Sequence, residues 1–123
     1  MAEPRWLLAN EYGQGCKAYA DANSVTVSGS IARAKIKHFL VPPGTDNRNQ
    51  RPVQEVVFDK EFDFDRKLTR YHSITFIYTD GAVAEPLQTE PEWAAAEKGS
   101  LTELNFVHSL ASPKKKSWWS PFQ

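Results

Sequence analysis

The strongest constraint on the fold comes from residues 53–79, where apolar and charged side chains alternate on both sides of one turn. Successive residues of a strand point to opposite faces, so the alternation places phenylalanines on one face and carboxylates on the other. The phenylalanines are Phe58, Phe62 and Phe64, and the carboxylates are Asp59, Glu61 and Asp63. With a turn at 65–67, the pattern predicts a hairpin whose symmetric pairing sets Asp63 opposite Arg70 and Glu61 opposite His72.

Shorter segments of similar character predict the other strands. Residues 31–39 alternate small apolar residues with cations, which is typical of a strand with one solvated face. The apolar side holds Ala32, Ala34 and Ile36, and the cationic side holds Arg33, Lys35 and Lys37. Short strands are also predicted at 5–9, 17–20, 25–27 and 82–85, with turns at 21–24 and at Asp80-Gly81. Residues 42–52 are polar and rich in proline, and predict a loop.

One helix is predicted near the C-terminus. An alanine-rich stretch after Trp93 indicates one helical turn that ends at Gly99. Ser100 and Glu103 then have the spacing of a capping box, in which Ser100 is the N-cap. The helix is predicted to run to about Leu110, and its apolar stripe consists of Leu101, Leu104, His108 and Ala111, with Val107 beside it. The predicted core includes Phe58, Phe62, Trp93 and Leu104.

Together these elements predict the α+β class, with an antiparallel sheet of about six strands and a C-terminal helix packed on one face. Residues 1–111 would form this single domain, and residues 112–123 would form a tail. The chain has fifteen basic and fifteen acidic residues, so its composition gives no indication of a nucleic-acid partner.

No residue pattern predicts a catalytic site, a metal or a cofactor. The three histidines (His38, His72 and His108) lack the spacing of metal ligands. The acidic residues at 59, 61, 63 and 65 are too spread out along one strand for calcium, and predict a solvated face that deters edge pairing. Cys16 is the only cysteine, and we interpret it as a small apolar residue. We therefore expect a protein without enzymatic activity.

The tail combines three lysines with three large aromatic residues, which is typical of a segment that binds a partner. The residues concerned are Lys114, Lys115, Lys116, Trp118, Trp119 and Phe122. Their chemistry leaves open whether the partner is another copy of the chain, another protein subunit or a membrane surface. A solubilising end with no partner is the alternative.

In order and spacing, residues 6–110 resemble the surface-adhesin protein E domain family. The elements that carry the resemblance are Trp6, Tyr19-Ala20-Asp21, Ser24-Val25, the cationic strand 31–39, Glu61-Phe62-Asp63, Arg70, Tyr78-Thr79-Asp80-Gly81, Trp93 and Gly99-Ser100. The resemblance implies a helix on the concave face of an antiparallel sheet and no enzymatic activity. Family members are exported bacterial proteins, and the type member forms dimers and binds host matrix and serum proteins.

The family usually joins the helix to the sheet by a disulfide, whereas this chain has Phe64 at the strand position and no cysteine in the helix. We expect Phe64 to pack under the helix instead. The predicted function is a non-catalytic module for protein–protein interaction, which would adhere to host matrix proteins if exported. The alternative is a small accessory subunit of a larger assembly, docked through the tail. The predicted location is the periplasm or cell surface if a leader has been removed, and intracellular otherwise.

Overall fold

The computed structural model describes residues 3–111. Its eight strands are β1 (Trp6–Tyr12), β2 (Cys16–Asp21), β3 (Thr26–Ser28), β4 (Ile31–Asp46), β5 (Arg51–Asp63), β6 (Leu68–Tyr78), β7 (Leu87–Gln88) and β8 (Ala94–Ala95). A 3-10 turn covers Ala22–Ser24, and helix α1 covers Lys98–Ala111. The strands form one antiparallel sheet in the order β1-β2-β4-β5-β6-β7, with β3 beside β4 and β8 beside β6. The predicted fold class, an antiparallel sheet with a C-terminal helix packed on it, is confirmed.

Strands β5 and β6 form the predicted hairpin, but its register differs from symmetric pairing by two residues. Asp63 lies opposite Leu68, and Glu61 lies opposite Arg70. The turn explains the difference: the Asp63 carboxylate accepts hydrogen bonds from the backbone N–H groups of residues 65 and 66, and Lys67 adopts a left-handed φ of 59°. A shift of two residues leaves the alternation of faces unchanged, so Phe62 is still fully buried.

The acidic residues of β5 do not guard an edge, because β5 lies between β4 and β6. The prediction that these carboxylates deter edge pairing is therefore wrong. Strand β5 is paired on both sides, and its carboxylates bind cations of adjacent segments. Asp59 forms a bidentate pair with Arg33 of β4, with both N···O distances at 2.8 Å. The Arg33 hydrogen bond holds the pKa of Asp59 below its ordinary value.

The loop predicted at 42–52 is mostly strand, and this prediction is wrong. Strand β4 continues to Asp46, and only residues 47–50 form the turn. A break in the β4–β5 pairing accommodates Pro42 and Pro43, which have no backbone N–H to donate. Beyond the prolines the two strands pair again, so a polar composition does not prevent strand formation here.

Asp46 fixes this turn from a buried position. Its carboxylate accepts hydrogen bonds from the Arg48 guanidinium and backbone N–H, and from the Tyr78 hydroxyl at 2.7 Å. The Arg48 side chain, with help from Tyr78, holds the pKa of Asp46 well below its usual range. The turn between β4 and β5 is therefore attached to β6 as well as to its own strands.

The free edge of β6 binds the segment that follows the hairpin. Asp80-Gly81 forms the predicted turn, with Gly81 at a φ of 89°. The strand predicted at 82–85 is reduced to a single bridge at Val83, and pairing resumes in β7. The alanines after Trp93 form β8 rather than a helical turn, because a turn this short is costly to nucleate while the β6 edge offers backbone partners.

Helix α1 begins at Lys98, three residues before the Leu101 start that Ser100 as N-cap predicts. Ser100 lies within its first turn, and the Glu103 side chain points into the protein, where it is 3% exposed. The capping-box prediction is therefore wrong: the local sequence pattern is overridden because Glu103 binds residues of the sheet, as described below.

The core lies between α1 and the sheet. Three alanines of the sheet, Ala20, Ala32 and Ala34, form a floor of small side chains, which we call the alanine floor. The helix packs on it through Leu104 and Val107, next to Ile36, Phe62 and Phe64. The Phe64 ring stacks on the His108 ring at a centroid distance of 4.2 Å, so the expected packing of Phe64 under the helix is confirmed. Of the predicted core residues, Phe62 and Leu104 are fully buried, whereas Phe58 and Trp93 are only half-buried.

Candidate ligand-binding cleft

A cleft of about 750 Å³ lies between the first turn of α1 and the sheet. Its floor is apolar and consists of Leu40, Val56, Phe58 and Tyr71. Its inner wall is polar and consists of Tyr12, His38, Lys60, Ser100 and Glu103. Strands β1, β4, β5 and β6 and the start of the helix all contribute to it. A concave site of this volume is suited to a small molecule or to a side group of a larger partner.

A buried ion pair joins the helix to the sheet at the inner wall. Lys60 Nζ lies 2.6 Å from Glu103 Oε1, and the two residues are 2% and 3% exposed. Strand alternation places Lys60 between Phe58 and Phe62 on the apolar face, where an unpaired ammonium would cost several kcal/mol. The same ammonium donates to Ser100 Oγ at 3.2 Å. The pair therefore fixes the first turns of the helix relative to β5.

The other oxygen of the Glu103 carboxylate continues the network towards solvent. His38 Nε2 lies 2.8 Å from Glu103 Oε2, and His38 Nδ1 lies 2.6 Å from the Tyr12 hydroxyl. Burial acts most strongly on the pKa of Glu103 and raises it, but the His38 and Lys60 interactions together outweigh burial and leave the pKa below its ordinary value. Glu103 is thus a carboxylate that only accepts hydrogen bonds, so Nε2 of His38 carries a proton.

Tyr12 ends this network at the mouth of the cleft. Its pKa is raised, first by burial and then by electrostatic interactions with Cys16 and Glu103. The order hydroxyl, imidazole, carboxylate is that of a catalytic triad. The raised pKa disfavours the phenolate, so Tyr12 meets His38 as a neutral hydroxyl.

A second charged cluster lies on β5 and β6 outside the cleft. Glu61 accepts from Arg70 Nε at 2.6 Å and from His72 Nε2 at 2.7 Å. The Arg70 guanidinium lies over the Trp93 ring, 4.2 Å from its centroid. Burial raises the pKa of Glu61, but His72 and Arg70 outweigh it and the net direction is downward. These contacts attach the segment around Trp93 to the hairpin.

Within residues 3–111, no three His, Cys, Asp or Glu side chains converge as metal ligands would. In the same part of the chain, no helix has the length and apolar character needed to cross a membrane. Cys16 is a free thiol whose Sγ exchanges hydrogen bonds with the backbone of Val41.

The site residues predicted from the sequence lie outside the described residues, since Lys114, Lys115, Lys116, Trp118, Trp119 and Phe122 all belong to the tail. Sequence reasoning missed the cleft and its inner wall. Two signals point to it: Lys60 is a lone cation between Phe58 and Phe62, and Glu103 adjoins Leu104 in the apolar stripe of the helix. When two apolar faces pack together, and one carries a single cation while the other carries a single anion, the two charges are expected to form a buried pair.

No protein-family model matches the chain, and no curated protein matches it. The resemblance to the surface-adhesin protein E domain family therefore stays a prediction.

Proposed function

We propose that this chain is a non-catalytic binding module and that its binding site is the cleft. The observation that carries the proposal is a half-open cavity of about 750 Å³ with an apolar floor and a few converging polar groups. Ligand sites typically have volumes of about 300–1,000 Å³ and combine apolar walls with a few well-placed polar side chains.

The chemistry of the inner wall favours binding over catalysis. Lys60 and Glu103 are bonded to each other, so neither is free as a general base or nucleophile. The raised pKa of Tyr12, caused mainly by burial, keeps its hydroxyl neutral. The wall thus presents fixed hydrogen-bonding groups, which orient a bound molecule without reacting with it.

The proposal includes the protein–protein interaction that the resemblance to surface-adhesin protein E implies. For an exported bacterial chain, the partner would be a host matrix protein, and the location would be the periplasm or cell surface. An apolar group of such a partner would enter the cleft. This part of the proposal rests on the resemblance, because a fold by itself does not define a function.

The test blocks the cleft with a large side chain introduced on the helix. Thr102 lines the cleft and is exposed, whereas Asn105 is exposed on the same helix but does not line it. Thr102→Trp should weaken binding of the neutral fluorescent probe N-phenyl-1-naphthylamine by roughly tenfold or more, and Asn105→Trp should leave it unchanged. Equal binding by both variants, with equal helix content by circular dichroism, would contradict the cleft as the site.

A second candidate is an accessory subunit docked through the tail. One observation favours self-association: residues 85–97 contain four glutamates and no cation, and all four are exposed. The glutamates are Glu85, Glu90, Glu92 and Glu97, and none of them forms a salt bridge among residues 3–111. The three tail lysines of another copy would complement them.

This candidate is tested by light scattering after gel filtration at low and high salt. The full chain should associate at low salt and dissociate at high salt. Attraction between exposed charges is screened within about 8–10 Å at physiological ionic strength and reaches further when the salt concentration is lower. Truncation after Ser112 should give a monomer, as should changing the three lysines to glutamine, whereas changing them to arginine should not. A full chain that is monomeric at low salt rules out self-association, and binding to liposomes would then identify a membrane surface as the partner.

A further inference from the structure

We propose that the cleft is selective for an uncharged, flat, largely apolar group that carries a carboxamide-like head. This inference rests on the proposed function of the cleft and adds the chemistry of its ligand. Three observations carry it: the charge balance of the inner wall, the hydrogen-bonding capacity left open there, and the shape of the floor.

The charges of the inner wall cancel within the protein. The Lys60 ammonium bonds to the Glu103 carboxylate at 2.6 Å, and its remaining surroundings include the Tyr71 ring, 4.9 Å from Nζ. A ligand carboxylate would find no free cation in the inner wall, and a ligand ammonium would meet the positive charge of Lys60. At the rim, Glu11, Glu97 and Lys98 are all exposed to solvent, so an ion pair between any of them and a ligand would contribute little. A charged head would therefore lose its hydration without gaining a partner.

Ser100 offers one donor to the cleft. The Lys60 ammonium can only donate, so Ser100 Oγ is the acceptor in their hydrogen bond and its own proton remains available. Among residues 3–111 no side chain or backbone group accepts that proton. A carbonyl oxygen on a ligand would accept it.

Tyr12 offers the complementary acceptor. In the tautomer of His38 whose only proton is on Nε2, facing Glu103, Nδ1 accepts from the Tyr12 hydroxyl. The Tyr12 oxygen then has a lone pair free for an N–H donor of the ligand. A head group that both accepts from Ser100 and donates to Tyr12 has the chemistry of an amide.

The floor favours a flat apolar body. The Phe58 and Tyr71 rings lie with their centroids 5.0 Å apart and are tilted by 50°, and Val56 and Leu40 extend the apolar surface beside them. Planar groups pack well against such rings. An aromatic body with an amide head therefore satisfies the floor and the wall together.

The test compares ligands that share one body and differ in the head. Binding of 2-naphthamide, 2-naphthoate and 2-naphthylmethylammonium to the full chain is measured by calorimetry at neutral pH. The amide should bind at least about tenfold more tightly than either ion, because only the ions lose hydration without compensation. N-acetyl-tryptophanamide, measured in parallel, represents a protein side group: comparable affinity indicates a protein source, and much weaker affinity indicates a free small molecule.

A variant pair tests the assigned hydrogen bond. Ser100→Ala should weaken 2-naphthamide about fivefold and leave 2-methylnaphthalene, which has no polar head, unaffected. Ser109→Ala is the matched control, since Ser109 is exposed on the same helix and bonds to the Phe106 carbonyl. Tighter binding of either ion, or an equal loss for both naphthalenes, would overturn the inference while the cleft remained a binding site. If no naphthalene binds and Thr102→Trp has no effect on the probe, the proposed function fails as well.

Discussion

The face of the sheet that carries the helix has two halves: one is apolar and closely packed, and the other is open and partly polar. Under the middle and end of α1, the alanine floor lets the helix backbone approach the strands, and the space is filled by Phe62, Leu104 and Val107. Beyond the start of the helix, the same face carries larger rings and the Lys60–Glu103 pair, and the space remains open as the cleft. The size of the sheet side chains thus determines where the helix closes on the sheet and where it does not.

The comparison also explains how a buried ion pair is tolerated. Lys60 and Glu103 lie at the border between the closed half and the open half, so each has a partner on the opposite element, and His38 satisfies the remaining carboxylate oxygen. Deep in the closed half, the same pair would need further hydrogen bonds for which the alanines offer no groups. The border is therefore both the ionic attachment of the helix and the inner wall of the cleft.

The largest expected effect is in the closed half. Phe62→Ala should lower the free energy of unfolding by about 3–5 kcal/mol, because the side chain is fully buried and packed helix residues cannot collapse into the space. Urea unfolding measures it. Val27→Ala, at a strand residue that is 50% exposed, is the control and should cost less than about 0.5 kcal/mol. A small loss for Phe62→Ala would mean that the core lies elsewhere.

Breaking the ion pair should have the next largest effect. Lys60→Met should cost roughly 3 kcal/mol, because it leaves the buried Glu103 carboxylate with only the His38 hydrogen bond and no ammonium partner. Lys35→Met, at an exposed position of the neighbouring strand, is the matched control. The double variant Lys60→Met, Glu103→Leu should recover most of the loss, since no unpaired charge remains. If Lys60→Met unfolds at the same urea concentration as Lys35→Met, the pair does not hold the helix.

A smaller effect on stability is expected in the floor of the cleft. Phe58→Ala should cost about 1–2 kcal/mol, because the ring is half-buried and one side of it already faces the cleft. Phe58→Ala should reduce the binding free energy of N-phenyl-1-naphthylamine by a larger fraction than it reduces the free energy of unfolding. A loss as large as that of Phe62→Ala would place Phe58 in the closed half and erase the distinction between the two halves.

The smallest expected effect is on how the stability of the fold changes at acid pH. Folding lowers the pKa of Glu103 from its ordinary value of 4.5, since the His38 and Lys60 interactions outweigh burial, so the unfolded chain binds this proton more tightly than the folded one. The contribution of Glu103 is therefore complete above pH 4.5 and is lost as the pH falls through the lower pKa of the folded state. Glu103→Gln should flatten the fall of stability in this acid range. An unchanged slope would show that Glu103 titrates alike in both states.

Much of the sheet could be predicted from alternation. Residues 31–39 form a strand whose apolar side is buried, and Asp21 accepts a hydrogen bond from the Asn23 N–H at the predicted turn. The register of the β5–β6 hairpin could not be predicted in this way. It depends on the hydrogen bonds that the Asp63 carboxylate accepts in the turn, which composition alone does not specify. The proline-containing part of β4 was missed for a related reason: pairing with β5 resumes after the break, and local propensity does not report a distant partner.

The cleft required tertiary information of a different kind. Ser100 and Glu103 have the spacing of a capping box, but a buried pair with Lys60 provides Glu103 with stronger interactions than a helix terminus. His38 and Tyr12 are 26 residues apart in the sequence and meet only because β1 and β4 both border the cleft. Such contacts follow from topology, so the residue types alone could not bring them together.

The alanine floor has a consequence for how this protein can diversify. Ala32 and Ala34 do not line the cleft, yet their size sets the height at which the whole helix rests on the sheet. Replacing either with valine would raise the helix and widen the opening without replacing any residue that lines the cleft. Descendants of this chain could therefore change the size of molecule they accept through substitutions under the helix, while the wall keeps the same residues.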